Sequence, residues 1–113
     1  MSYNLDALDN YAATIGVEKT LKMVEFAVTY IAQREQQLKQ ALLNAELQQA
    51  ADYAHKAVGS VRLYGSPQLE QLLCQVRDQD YAQENSAALQ RELSAEFALA
   101  DQALKSWIKQ QSK

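Results

Sequence analysis

Residues that break helices are scarce in this sequence. Its 113 residues include 3 glycines and 1 proline, whereas average usage is about 7% and 5%. Sheets and tight hairpins depend on these residue types at their turns, so the shortage argues against a strand-rich fold. Alanine, leucine, glutamine, glutamate and lysine are abundant instead, and all of them favour helices. The composition therefore predicts an all-α protein.

Cysteine and histidine are scarcer still, which excludes two kinds of site. Cys74 is the only cysteine, so no disulfide can form within the chain. His55 is the only histidine, and a structural zinc site needs four cysteine or histidine ligands. We therefore expect no Cys/His zinc site. The sequence also has no Gly-rich loop and no Gly-Lys-Ser/Thr motif, so we expect no nucleotide site and no cofactor bound by the chain itself.

The sequence also lacks clustered positive charge and long apolar runs. Its formal net charge is −3, and it contains no run of lysine and arginine, which argues against a nucleic-acid partner. Residues 1–6 do not resemble a signal peptide. The longest apolar stretch, near residues 26–32, is far shorter than the roughly 20 residues of a membrane helix. The sequence predicts a cytoplasmic protein without a membrane partner.

Apolar residues recur at spacings of three and four, as is typical of amphipathic helices. The longest such run predicts a helix over residues 17–43, with a shorter helix before it. A second run begins at Leu47, a third follows Ser66 and Pro67 as cap and first helical residue, and the last reaches Ile108. Because each helix is apolar on one side only, each needs neighbours. We expect one domain over residues 1–113, an antiparallel up-and-down four-helix bundle with a short additional N-terminal helix.

The segment over residues 54–65 differs from the rest of the chain. It contains the only histidine and two of the three glycines. At about 100° per residue, His55 lies about 120° from the apolar centre of its helix, and Gly59 follows one turn later. A glycine within a helix costs about 1 kcal/mol relative to alanine. We expect it to leave room for a phosphoryl group and a partner's backbone beside the imidazole, which is a nucleophile near pH 7.

This segment resembles the motif of helical histidine-containing phosphotransfer (HPt) domains, written roughly A-H-x-L-K-G-S-x-x-x-x-G-x-x-x-L. The matching residues are Ala54, His55, Gly59, Ser60, Gly65 and Leu69. The motif's leucine and lysine are replaced by Ala57 and Val58. The resemblance extends over most of the chain, but only residues 54–69 are specific to it.

The resemblance implies a phosphocarrier of a two-component phosphorelay that has no kinase activity of its own. His55 would accept a phosphoryl group from the aspartyl phosphate of one receiver domain and pass it to another. The partners would be response-regulator receiver domains or a hybrid histidine kinase, and Mg²⁺ would be held by the receiver. Gly59, Lys56 and Arg62 would support the phosphoryl site, with Arg62 substituting for the missing lysine.

A docking face is expected around these residues, with Ala51, Asp52 and Val58 contributing to it. Two other interpretations stay open. In one, the bundle keeps the fold and the docking face but transfers no phosphate, and Val58 is the main observation that favours it. In the other, the segment is a histidine-kinase dimerisation helix, which is less consistent because Lys56 follows His55 where an acidic residue is usual.

Overall fold

The computed structural model describes residues 6–62, 66–82 and 86–111. These residues form five helices, and none of them lies in a β-strand, which confirms the all-α prediction. The helices are α1 (Asp6–Ile15), α2 (Val17–Leu43), α3 (Leu47–Val61), α4 (Pro67–Arg77) and α5 (Ser86–Gln111). The longest helix has the bounds that its apolar spacing predicts.

Gly16 alone separates α1 from α2. Its φ of +97° lies in the region that favours glycine. Its amide donates to the carbonyl of Ala12 at 3.0 Å, and its own carbonyl accepts the amide of Thr20 at 3.1 Å. The buried hydroxyl of Thr20 donates to that same carbonyl at 2.8 Å. The chain therefore changes direction within one residue without leaving these backbone groups unpaired.

Helices α2 and α4 end in the same way, although neither ends with glycine. Ala45 and Gln79 have φ values of 56° and 54°. After α2, the amide of Glu46 donates to Ala41 at 2.9 Å, and that of Ala45 donates to Leu42 at 3.2 Å. The equivalent two bonds close α4 around Gln79. Both ends are Schellman motifs, in which a left-handed residue lets the last carbonyls find donors.

The start of α4 matches the sequence prediction in position but not in its hydrogen bond. Ser66 is the N-cap residue and Pro67 is the first helical residue, yet the serine hydroxyl makes no capping bond. The Ser66 carbonyl accepts the amide of Glu70 at 2.9 Å. The motif position Gly65 lies outside the described residues.

Four of the helices contact one another in a closed circuit around a shared core. Helix α2 packs against α3, α3 against α4, α4 against α5, and α5 against α2. Their apolar stripes meet inside this circuit, where the buried residues include Val24, Ile31, Leu38, Ala54, Ala57, Val61, Leu69, Leu73, Val76, Leu93, Phe97, Leu104 and Trp107. The result is a helical bundle whose solvent-facing sides are free to carry functional residues.

The short helix α1 packs outside this circuit, against α2. Its Leu8 is 1% exposed and belongs to the core. The indole Nε1 of Trp107 on α5 donates to Oδ1 of Asp9 at 3.1 Å. This bond links α1 to the last helix and satisfies the one polar atom of a buried tryptophan.

Candidate functional site

Helix α3 carries the candidate site on its solvent-exposed flank, beside its buried stripe. Ala50, Ala54 and Val61 are fully buried, and Ala57 is 3% exposed. His55 lies on the exposed side of the same helix, as its position relative to the apolar stripe predicts. Small residues line the buried side, so α3 sits close to its neighbours while the imidazole faces solvent.

Gly59 lies one helical turn after His55 and is also exposed. A Cβ placed on it would meet no atom within 4 Å among the described residues. A close helix–helix contact therefore does not explain this glycine. The space beside Gly59 is open, as is required if this glycine leaves room for a phosphoryl group and a partner's backbone.

Lys56 and Asp52 are both exposed on α3. The carboxylate of Asp52 accepts a hydrogen bond from Nε2 of Gln48 at 3.1 Å. Both side chains are accessible to a partner that approaches His55. Their expected roles in supporting phosphate and in docking stay predictions.

The structure corrects two of the expected docking residues. Ala51 is 6% exposed and Val58 is 3% exposed, so neither forms part of the accessible surface. Both extend the packed side of α3, which accounts for the small and apolar residue types at these positions. The exposed surface around His55 therefore consists of polar residues and glycine, without these two apolar groups.

Arg62 follows the last residue of α3, and its guanidinium pairs with a residue of the next helix. Its Nε lies 3.1 Å from Oε2 of Glu70, and the two side chains are 60% and 33% exposed. Exposed ion pairs of this kind contribute at most about 1 kcal/mol. Arg62 is therefore held towards α4 by a weak contact, and its expected part at the phosphoryl site stays a prediction.

Sequence reasoning missed a cluster of side chains on α2 and α3 that we call the aromatic–arginine ladder: Phe26, Tyr30 and Arg34 of α2 with Tyr53 of α3. The three α2 residues are spaced four apart, which places them along one side of the helix. That spacing is readable in the sequence. The contribution of Tyr53 depends on how the two helices pack.

The described residues contain no group of three or more histidine, cysteine, aspartate or glutamate side chains that could hold a metal ion. Nor does any helix in the described ranges combine the length and the apolar character needed to cross a membrane. Comparison with protein-family models, with curated proteins and with solved structures finds no match to this chain.

Proposed function

We propose that this protein is a histidine phosphotransfer protein of a two-component phosphorelay. The observation that carries the proposal is the exposed His55 on α3, one turn before an exposed glycine with open space around it. The fold proposed with it is an antiparallel up-and-down four-helix bundle of α2 to α5, with α1 as the additional N-terminal helix. We place the protein in the cytoplasm, where receiver domains would be its partners.

The proposed reaction needs little from the chain beyond a fixed and accessible nucleophile. A nitrogen lone pair of His55 attacks the phosphorus of an aspartyl phosphate on a receiver domain. The N–P bond forms as the P–O bond to the aspartate breaks, and the carboxylate leaves with that electron pair. The attacking nitrogen, the phosphorus and the leaving aspartate oxygen must lie in line. The receiver must therefore place its aspartyl phosphate directly in front of the attacking imidazole nitrogen. The receiver supplies Mg²⁺ and most of the charge that stabilises the transferring group.

Gly59 serves this approach by leaving the imidazole uncovered. A helical side chain points back over the preceding turn, so any side chain at residue 59 would extend towards residue 55. Cβ atoms four residues apart on a helix lie about 5–6 Å from each other. A bulky residue at this position would therefore occupy the space that a receiver's active-site loops need.

A second candidate function is a receiver-binding module that transfers no phosphate. Two observations favour it. Val58, which replaces the motif's lysine, is buried in the core, and Arg62 is engaged with Glu70. Lys56 is then the nearest cation in sequence, but it lies about 100° around the helix from His55. The second candidate keeps the docking face and loses the charge that speeds transfer.

The deciding experiment presents the chain to receiver domains from its source cell, each phosphorylated on its aspartate. We expect acid-labile, base-stable phosphate on the wild-type chain and none on His55→Gln. Receiver binding is measured on the same two proteins, because loss of label alone does not separate loss of docking from loss of the nucleophile. Gln49→Ala is the matched control, since it alters another exposed residue of α3 and keeps the histidine and the residues around it.

Each outcome supports one candidate, overturns the proposed nucleophile, or overturns both candidates. Label that depends on His55 supports the phosphotransfer protein. Binding without label supports the non-transferring module. Label that persists in His55→Gln overturns the proposed nucleophile, and a chain that neither binds nor accepts phosphate from any receiver overturns both candidates.

A further inference from the structure

The aromatic–arginine ladder contains a cation that lacks a carboxylate partner among residues 6–62, 66–82 and 86–111. Four other ion pairs in these ranges neutralise their lysine or arginine, two of them within a helix at a spacing of four residues. Arg34 forms no ion pair with a carboxylate of these described residues. Its Nη1 donates to Oε1 of Gln37 at 2.9 Å, and its buried Nε has no acceptor in the part of the chain that the structure describes.

Aromatic rings hold this guanidinium in place. Its central carbon lies 4.6 Å from the ring centroid of Tyr30 and 6.0 Å from that of Tyr53. An arginine that stacks on aromatic faces is weakly hydrated and has already lost much of its freedom. A carboxylate that pairs with it therefore loses less free energy to ordering than it would with a mobile surface lysine.

An exposed apolar surface continues from the cation along α2. Phe26 is 73% exposed, and its ring stacks on that of Tyr30 with centroids 6.3 Å apart. Phe26 and Arg34 are eight positions apart on the helix, which corresponds to a rise of about 12 Å. The ladder thus presents an apolar group and a cation in one line, two helical turns apart.

We propose that the aromatic–arginine ladder binds an amphipathic helix of a protein partner that carries one carboxylate and one large apolar side chain on the side facing the ladder. A carboxylate of that helix pairs with the guanidinium of Arg34, and a large apolar side chain seven or eight residues away covers Phe26. Seven or eight residues of a helix span about the same 12 Å. This proposal does not depend on the chemistry of His55.

The charge and the fold favour this occupant over others. The chain carries a net charge of −3, so a polyanion such as a nucleic acid would be repelled, whereas a single carboxylate beside an apolar group matches one guanidinium beside one phenyl ring. A peptide that adds as a β-strand would need a sheet edge for its backbone groups, and the described residues form no strand. A helix satisfies its own backbone and contacts the ladder through side chains alone.

The test selects binders from a random library of displayed helical peptides, using the full chain as bait. We expect enriched peptides to carry an aspartate or glutamate and a large apolar residue seven or eight positions apart. Binding of an enriched peptide, made synthetically, is then measured by NMR titration. Arg34→Gln should weaken it about tenfold, as expected for loss of a charge-assisted pair, and Phe26→Ala should weaken it several-fold.

Matched controls separate this surface from general effects on the chain. Leu43→Ala removes another exposed apolar side chain of α2, 68% exposed, and should leave peptide affinity unchanged. His55→Gln should also leave it unchanged. Replacing the peptide's acidic residue by its amide should lower affinity for the wild type but not for Arg34→Gln. Circular dichroism melts check that each variant stays folded.

Several results would overturn the proposal. These are enrichment of basic peptides, equal binding of the Arg34→Gln and wild-type chains, tighter binding when a phosphoserine replaces the acidic residue, or no enrichment at all. A second copy of the chain is the remaining occupant. If sedimentation shows a wild-type dimer that Phe26→Ala dissociates, the ladder is a self-association surface instead.

Discussion

Substitution of Gly59 tests whether open space beside His55 is what this position provides. Glycine destabilises a helix by roughly 0.5–1 kcal/mol relative to alanine. A Cβ at residue 59 meets no described atom within 4 Å, so Gly59→Ala should recover that free energy without a clash. Residue 59 lies in the last turn of α3, which places the gain near the lower end of the range.

The gain converts into a small but measurable change in melting temperature. At about 2.1 cal/mol/K per residue, a chain of 113 residues unfolds with an entropy of about 0.24 kcal/mol/K. The stabilisation of Gly59→Ala therefore raises Tm by about 2–4 °C. Differential scanning calorimetry of the two proteins measures this shift directly.

Gly59→Leu should change function in the opposite direction. Its side chain extends back over the turn that carries His55, where it blocks the approach of a receiver. We expect the rate of phosphoryl transfer to fall at least about tenfold, a barrier of about 1.4 kcal/mol, while helix content and Tm do not fall. Gln49→Leu adds the same side chain at another exposed residue of α3, pointing away from His55, and should transfer at the wild-type rate.

Two results would refute this reasoning. A lower Tm for Gly59→Ala would mean that the glycine meets a structural need, so its presence would say nothing about a partner. Wild-type transfer by Gly59→Leu would mean that the space next to the imidazole is not used. The first result would contradict the inference that Gly59 costs stability without meeting a structural need. The second would contradict the inference that a receiver uses the space beside His55.

Three further predictions concern the bundle. Leu104→Ala removes a fully buried side chain of α5 and should lower the free energy of unfolding in urea by about 2–5 kcal/mol. Leu99 is 46% exposed on the same helix, and Leu99→Ala should change that free energy by less than about 0.5 kcal/mol. Similar costs for the two variants would mean that α5 packs with another face. Trp107→Phe removes the donor to Asp9 and should cost at least about 1.5 kcal/mol by the same assay, while Asp9→Asn keeps an acceptor and should cost clearly less. Burial raises the pKa of Tyr81, so the folded state holds the phenol proton more tightly than the unfolded state does. The stability that this protonated tyrosine contributes is therefore present below pH 10 and is lost as pH rises through the raised pKa. Tyr81→Phe should therefore lose less stability than the wild type above pH 10, and parallel losses would contradict the assigned cause.

The regular spacing of apolar residues was sufficient to predict the helices. The run of apolar residues in α2 extends over seven turns, so errors at single residues do not shift its bounds. Pro67 marks the start of α4 because its ring fixes the backbone angle of a first helical residue. Signals of this kind are local and do not depend on how the helices pack.

The boundary between core and surface on α3 depends on that packing. Ala51 and Val58 lie on the edge of the apolar stripe, and only the presence of a neighbouring helix decides that such residues are buried. The partner of Arg62 is equally non-local, because Glu70 belongs to another helix, across a connection whose path the spacing does not specify. The exposed position of His55 was predictable because it lies well away from the stripe centre.

The left-handed turns at Ala45 and Gln79 have a practical consequence for every experiment above. A residue with a Cβ costs roughly 1–2 kcal/mol in that conformation, and glycine avoids most of this cost. Substitution by glycine should therefore raise the free energy of unfolding at two positions that belong neither to the histidine site nor to the ladder. A variant with glycine at both positions would be a more stable starting protein. Destabilising substitutions elsewhere could then be compared in a protein that stays folded.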